Sequence, residues 1–531
     1  MGQPNDGYFG STYATFRNST IALGGYSDRI PMLYVGANDG MMHGFNACYP
    51  AGTGCAAADQ GKELIAYMPG KVYNNLSKLT DQAYSHKFFV DGSPTVKDAY
   101  GVIGQCAAAC WRSVLVSGLN AGGQGVFALD VTDPSQFSEA NADKLLLWEF
   151  TDADDADLGY TYSKPIIARL SNGKWAAIFG NGYNSTGGTA ALYVLYLDKA
   201  LGTAWALGTN FFKIDTGVAG ANGLSSIASW DKDGDGNIDY VYGGDLQGNM
   251  WKFDISGTPS TPSGANWKVA FGGASPYNPL FTAVDLITPT PNRQPITTPP
   301  AVSAHPLYGM LVLFGTGKVL ETTDITDTKL QTFYAIWDKD DGSTVSARSD
   351  LLQQTITAEN NVTGNRDTSA NTMNWKTTTS TAPHYLGWYM DLVVVPPPTV
   401  ANMKGERHVG TPKLINGVVF FNTYIPSTAL CDFGGDGWLM AVNYATGGLL
   451  PFPPFDSDNS GSITSADTPT GGKKVGAAIG GTTIINTGGT GGIGGTGGIG
   501  VSSTTKGGTS STPVQTQGLR GRVTWRELIQ N

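Results

Sequence analysis

Charge is scarce in this chain. Of its 531 residues only 14% are Asp, Glu, Lys or Arg, and 33 basic against 43 acidic residues leave a net charge of −10. A chain of that sign, with no basic patch interleaved with aromatics, is not built for nucleic acid. No apolar run is long enough to cross a bilayer, so no transmembrane segment is read. The N-terminus has no charged region followed by an apolar core, which reads as a removed signal or as one portion of a longer protein. Myristoylation is excluded as well, because Asp6 stands where Ser or Thr is needed. There is no Gly-x-Ser-x-Gly, no His-Glu-x-x-His and no nucleophile–base pair, so no catalysis is assigned. Gly315-Thr316-Gly317-Lys318 fails as a phosphate loop, since Val312 and Val319 fill the glycine and hydroxyl positions.

Cysteine is also sparse, at five residues. Cys48 with Cys55, and Cys106 with Cys110, bracket short Gly/Ala stretches, as two local disulfides in an oxidising compartment would. Ordinary buried thiols are the competing reading, and Cys431 is left over. Neither pair is a Cys-x-x-Cys, and none of the five histidines lies at ligand spacing, which weakens a metal reading of the cysteines.

Glycine, by contrast, is abundant at 72 residues. Pro, Gly, Asn and Asp punctuate the chain throughout, and long 3.6-residue periods are rare, so the fold is expected to be nearly all β. One phrase recurs: a Gly/Asp/Asn turn, then apolar and aromatic residues ending in Asp or Asn. It occurs at 38–46, 123–130, 245–254 and 435–443, with looser copies at 192–198 and 332–338. Short β-units of this kind bury their faces only by stacking, and propeller blades are the economical arrangement. The spacing is irregular, so insertions are expected, one of them at 360–381. Residues 1–470 are therefore read as a propeller. The Gly/Thr/Ser-rich stretch 471–517 has little apolar bulk and is read as a flexible linker. Residues 518–531 form a strand-like tail expected to dock on the body or on a partner.

Two acidic stretches carry the chemistry. Asp231, Asp233, Asp235 and Asp239 fall at positions 1, 3, 5 and 9 of a loop with Gly236 at position 6 and Ile238 at 8. This is the oxygen-donor spacing of a calcium loop, in which hard carboxylate ligands converge around a sharp glycine turn. Position 12 is Tyr242 instead of a bidentate Glu, and the residues after the loop read as a strand, so this is not a helix–loop–helix sensor. A second candidate runs from Asp456 through Asp458, Ser460, Ser462 and Thr464 to Asp467, with Gly461 at position 6 and Ile463 at 8. It carries fewer charges, and weaker calcium affinity is expected. Asp338–Asp341 is mis-spaced and reads as a surface turn. Residues 152–157 lack the ligand-directing glycine and read as a solvated acidic turn.

Several phrases together resemble the C-terminal module of the PilY/PilC family, the tip-associated adhesins and assembly factors of bacterial type IV pili. They are Tyr34-Val35-Gly36-Ala37-Asn38-Asp39-Gly40, Phe89-Val90-Asp91-Gly92-Ser93-Pro94-Thr95-Val96-Lys97-Asp98, Gly118-Leu119-Asn120-Ala121-Gly122-Gly123-Gln124-Gly125-Val126-Phe127-Ala128-Leu129-Asp130, Gly159-Tyr160-Thr161-Tyr162-Ser163-Lys164-Pro165, Phe179-Gly180-Asn181-Gly182-Tyr183-Asn184-Ser185, Phe314-Gly315-Thr316-Gly317-Lys318 and Val523-Thr524-Trp525-Arg526-Glu527-Leu528. The resemblance implies a modified seven-bladed, quinoprotein-like β-propeller with loop insertions, exported through the periplasm to the cell surface or pilus. It implies a calcium ion held by the side chains of Asp231, Asp233, Asp235 and Asp239 and the main-chain carbonyl of Asn237. It also implies an influence on pilus extension and retraction, twitching motility and attachment. Minor pilins and the pilus tip complex are the implied partners, with a host or abiotic surface beyond them. The chain has no Arg-Gly-Asp tripeptide, and the family's variable N-terminal region is not seen in it. Two rival classes share the turn–strand repeats. A pyrroloquinoline-quinone dehydrogenase would carry adjacent cysteines, whereas three alanines separate Cys106 from Cys110. A purely structural propeller braced by calcium is the other.

Overall fold

The computed structural model describes residues 4, 8, 11–18, 29–48, 56–259, 266–286, 292–376, 384–395, 403–427, 435–476, 482–490, 496–503 and 509–516. Two compact units are present, 1–246 with 251–278, and 247–250 with 279–531. Both are built from β-sheet. No helix among the described residues is long and apolar enough to cross a membrane.

The first unit is a series of antiparallel meanders. Strands β1 (Met32–Gly36), β2 (Met42–Asn46) and β3 (Glu63–Tyr67) form a three-stranded sheet. A four-stranded sheet follows from β4 (Thr95–Gly101), β5 (Cys110–Gly118), β6 (Gly125–Asp130) and β7 (Leu146–Thr151). The next comprises β8 (Ile166–Arg169), β9 (Trp175–Gly180), β10 (Ala191–Tyr196) and β11 (Phe211–Asp215). A further sheet holds β12 (Leu224–Trp230), β13 (Tyr240–Asp245), β14 (Asn249–Asp254) and β15 (Lys268–Val269).

Why these runs become strands is visible in their burial. Every residue of β9, β10 and β13 is buried. A short apolar run of this kind suits a strand covered on both faces. The cores confirm the stacking order within this unit. Met42, Phe89 and Val90 pack with Leu115, Phe127 and Leu129. The other face of that second sheet meets the third, where Val116, Val126 and Phe150 join Trp175, Phe179 and Tyr193. Ile178, Leu192 and Val194 then pack on Leu224, Val241, Trp251 and Phe253 of the fourth. Successive sheets stacked face to face make a propeller-like fold. Turns between them are tight: Gly182 adopts φ 72°, and a Cβ there would run into the Tyr160 carbonyl oxygen.

In the second unit, β16 (Phe281–Thr282) pairs with Asn249 and Met250, and β17 (Val284–Asp285) pairs with β18 (Asn292–Arg293). A ten-stranded sheet follows. Its members are β19 (Ala301–Ala304), β20 (Met310–Gly315), β21 (Thr332–Asp338), β22 (Leu352–Asn360), β23 (Asn365–Thr368), β24 (Gly387–Val394), β25 (Arg407–Ile415), β26 (Val418–Ile425), β27 (Asp436–Asn443) and β28 (Gly472–Lys474). They lie in the order β19-β20-β21-β24-β22-β23-β28-β27-β26-β25. Two four-stranded meanders, β19-β20-β21-β24 and β25–β28, are thus joined edge to edge by the β22–β23 hairpin, which falls partly in the expected insertion at 360–381. The joined sheet folds over so that Leu313, Phe333 and Trp388 of one half pack on Val419, Phe421 and Trp438 of the other.

Within the stretch read as a flexible linker, the described residues include several strands. They are β28 and then a three-stranded sheet, β29 (Thr482–Thr490), β30 (Thr496–Ser503) and β31 (Thr509–Thr516). Glycine removes side-chain bulk but leaves a full set of backbone donors and acceptors for the ladder. Val514 and Ile484 supply the apolar anchors, packing with Val418, Phe420, Leu439 and Phe455. The tail 518–531 lies outside the described residues. Cys106 and Cys110 are disulfide-bonded, their Cα atoms 5.9 Å apart. Cys48 is also disulfide-bonded, while Cys55 and Cys431 lie outside the described residues.

Buried charge fixes the second unit where the β22–β23 hairpin enters it. Arg366 on β23 is fully buried. Its guanidinium donates to Glu406 at 2.6 and 2.9 Å and to Glu359, and it stacks 4.2 Å over the Trp438 ring. Arg366→Met therefore strands the buried Glu406 carboxylate and the half-buried one of Glu359, and is expected to cost about 3–5 kcal/mol in denaturant melts. Glu406→Gln in the same chain should recover part of that loss, which a double-mutant cycle reads directly.

His43 on β2 links the first hairpin's turn to β3, with Nε2 2.9 Å from Asp39 Oδ2 and Nδ1 on Glu63. The Glu63 hydrogen bond raises its pKa, burial works against that, and Asp39 adds to the rise. The sign follows: the protonated bridge stabilises the fold fully below the ordinary histidine pKa of about 6.5, and the contribution is lost as pH rises through the raised folded value. An NMR titration should place His43 above the ordinary value, and Glu63→Gln should bring it down. An unmoved titration in the variant would refute the bridge.

Candidate metal centre

The first acidic loop closes the β12–β13 hairpin. Its ends are fixed by the ladder, where Trp230 pairs with Tyr240, and the Asp239 N–H donates to the Trp230 carbonyl at 3.1 Å. Ile238 is the peg: it is buried among Leu170, Ile227 and Phe253, and its N–H donates to the Arg169 carbonyl at 3.0 Å. The apolar residue at position 8 therefore anchors the loop in the core between β8 and β13.

The loop's own amides then aim the carboxylates. Asp231 accepts from the N–H groups of Gly234 at 2.7 Å and Gly236 at 2.8 Å. Asp233 accepts from the Asp235 N–H at 3.1 Å, and Asp239 from the Lys232 N–H at 2.7 Å. Gly234 and Gly236 have φ of 78° and 86°, a left-handed backbone that glycine adopts without strain. Oxygen atoms of Asp231, Asp233 and Asp239 lie within 4.8 Å of one another. The fourth expected ligand differs: Asp235 is turned to Asn237, accepting from its N–H and its side-chain amide, both at 2.7 Å. These Asn237 bonds hold the Asp235 pKa low. Asp239, by contrast, is pushed up, first by burial and then by repulsion from Asp233, Asp231 and Asp235, against the lowering effect of the Lys232 N–H. Tyr242, at position 12, is wholly buried in β13 and offers no ligand.

A cation fits this donor set. Three carboxylates crowded on one point repel each other, and the Asn237 Oδ1 is buried without a hydrogen-bond partner among the described residues. Oxygen donors in that number suit a hard ion such as Ca²⁺.

The second candidate repeats the arrangement between Phe455 and β28. Oxygens of Asp456, Asp458 and Asp467 lie within 4.8 Å of one another. Asp456 accepts from Ser460 at 3.1 Å and Gly461 at 2.6 Å, and Asp458 from Ser460 at 3.0 Å. Asp467 accepts from Ser457 at 2.6 Å and Thr464 at 2.7 Å. The hydroxyls of Ser460 and Thr464 have partners within the loop. The Ser460 hydroxyl donates to the Ser462 carbonyl at 3.1 Å, and the Thr464 hydroxyl accepts from the Ala466 N–H at 3.1 Å.

The remaining acidic stretches behave differently. Asp155 and Asp157 were expected to be solvated, yet both pair with Lys213, at 3.0 and 2.7 Å. That partner lies 56 residues and more away, beyond any local motif. Asp341 accepts from Ser343 in a local turn. Among the described residues no histidine joins a three-residue metal cluster. His305 stacks on Trp337 at 4.0 Å, and burial lowers its pKa to about 3, keeping it neutral. Sequence reasoning missed Lys473, whose ammonium reaches the second loop. The only signal was a lysine pair six residues past Asp467.

A family model for the PilY1 beta-propeller domain matches residues 8–368. The chain is 40% identical over 432 residues to a type IV pilus biogenesis factor PilY1 homolog of Xylella fastidiosa, covering 78% of this chain and 26% of that protein. It is 37% identical over 469 residues to the type IV pilus biogenesis factor PilY1 of Pseudomonas aeruginosa PAO1, covering 82% and 36%. The chain therefore spans about a quarter to a third of the length of these curated relatives. Among solved structures, the crystal structure of the Pseudomonas aeruginosa PilY1 C-terminal domain superposes with a TM-score of 0.71 at 32% identity, covering 97% of this chain and 98% of that one. With more than half its length matched by the family model and its fold shared with that domain, the chain belongs to the PilY1 beta-propeller family.

Proposed function

We propose that the chain is the calcium-responsive, non-catalytic propeller of a type IV pilus biogenesis factor, working at the cell surface or pilus tip after export through the periplasm. Kinship to proteins named as type IV pilus biogenesis factors supports the pilus role. The observation that carries the calcium reading is the convergence of Asp231, Asp233 and Asp239 in a loop pegged by Ile238. Their side chains, with the Asn237 main-chain carbonyl and Asp235 from the rim, would hold the ion. A bound Ca²⁺ supplies two positive charges against the crowded carboxylates. The chain's part is to fix the corner entering β13 and so set the surface of that sheet. Twitching motility, extension and retraction, and attachment follow if that surface docks minor pilins or the tip complex. The tail at 518–531 is the candidate docking strand, by addition to a partner's sheet edge.

The same reading takes the blade number as seven. Four stacked sheets lie in the first unit. In the second, the two halves of the ten-stranded sheet count as the fifth and sixth, and β29–β31, packed on the β25–β28 half, count as the seventh.

Calorimetric titration of calcium into the wild type should reveal a strong site that Asp239→Ala abolishes while the protein stays folded. Thermal melts should show calcium stabilising only the wild type, by about 2.7 kcal/mol at a hundredfold excess over Kd. Piliation and twitching should then fail in cells whose full-length protein carries Asp239→Ala. Binding that survives the substitution, or no binding at all, would sink the calcium reading. Deleting 518–531 with pilin binding unchanged would remove the docking-strand part alone.

A further inference from the structure

The two acidic loops share one backbone. In both, position 1 accepts from the N–H of position 6, position 3 from that of position 5, and the last Asp from that of position 2. Positions 4 and 6 are left-handed in both, with φ of 78° and 86° in the first loop and 62° and 95° in the second. Position 4 is one of the places where they part. It is Gly234 in the first loop and Asn459 in the second, a residue that tolerates left-handed backbone and adds a side chain.

That side chain meets a buried cation. The Lys473 ammonium on β28 donates to Asn459 Oδ1 at 2.7 Å and to the Asp456 main-chain oxygen at 2.7 Å. It also reaches Asn365 Oδ1 at 2.9 Å and the Thr363 carbonyl at 3.1 Å, both on the β22–β23 hairpin. Lys473 is only 9% exposed, and Asp456, Asp458 and Asp467 all act on it electrostatically. The hairpin returns the contact, since Asn365 donates to the Ser457 carbonyl at 2.7 Å and Asn459 to the Thr363 carbonyl at 3.2 Å.

We propose that Lys473 is the resident cation of the 456–467 loop, making it a metal-independent latch that fastens the β22–β23 hairpin to β28 and so holds the two halves of the ten-stranded sheet together. The ammonium bonds to the Asp456 main-chain oxygen and not to a carboxylate, and its field at the three carboxylates offsets part of their charge and disfavours a second cation. With four oxygens around one ammonium, the lysine cannot leave without stranding the buried Asp456 carbonyl. The two loops then divide the work: 231–239 answers to calcium, and 456–467 stays closed without it. Only that division rests on the calcium reading above.

Hydrogen exchange followed by mass spectrometry, on the whole chain with calcium or with EGTA, tests this. Peptides covering 456–467 and 360–368 should be equally protected in both conditions, whereas 231–239 should lose protection in EGTA. Lys473→Met should speed exchange about tenfold or more at 456–467 and 360–368 together, with no rescue by calcium. Calcium-dependent protection at 456–467 in the wild type would overturn the proposal, and so would unchanged exchange in Lys473→Met. If that variant does not fold, the wild-type comparison still decides. Loss of calcium dependence at 231–239 alone would defeat the calcium reading of the first loop and leave the latch intact.

Discussion

Burial of central strands on both faces is the constraint from which the rest follows. A strand such as β10 (Ala191–Tyr196), with a neighbouring sheet above and below, has no face left for polar chemistry. At the hairpin ends the ladder stops and loop amides are free to turn on side chains. The acidic loop after β12 is such an end. Its carboxylates are positioned from below, by Ile238 seated in the core, and from within, by the amides of Gly234, Gly236 and Lys232. The packing that seats Ile238 thus also gathers charge at one corner.

The second unit meets the same constraint with a harder topology. Two meanders are joined through a hairpin whose β22 runs parallel to β24, an interruption of an otherwise antiparallel pattern. Buried cations stand at these joins. Arg348 donates to the Val284 carbonyl at 3.1 Å and to Asp391, and lies 4.0 Å over the Tyr389 ring. Arg366 ties β23 to Glu359 and Glu406, and Lys473 ties the neighbouring loop to the same hairpin. Each buried ion pays desolvation, so stability alone is a poor reason for them. Their directional bonds select one register for a hairpin that apolar packing alone would leave free to slip, since one residue of slip exchanges the faces of a strand.

Much of this was legible in the sequence, for reasons that differ by element. The all-β class, the turn–strand repeat and the loop at 231–239 are local patterns, and local patterns survive folding. The strands described within 471–517 were not legible, because glycine hides its part in a ladder: the backbone donors are present in every sequence and only a partner strand reveals their use. Asp155 and Asp157 read as solvated because Lys213 lies far along the chain. The spacing that places Asp235 among the candidate ligands does not record that the side-chain amide of Asn237 donates to it at 2.7 Å.

Lys473 shows where motif reading stops in principle. The alternation of Asp with Gly in either loop encodes a set of backbone N–H donors that hold each carboxylate in place. Those donors take up one lone pair on several oxygens and leave the negative charge largely uncompensated, because an amide carries only a partial charge. What balances the remainder is set by residues outside the loop. At 456–467 that residue is a lysine arriving on β28, met by the asparagine at position 4. A motif therefore specifies where negative charge converges, while the tertiary fold decides whether an ion or a side chain answers it.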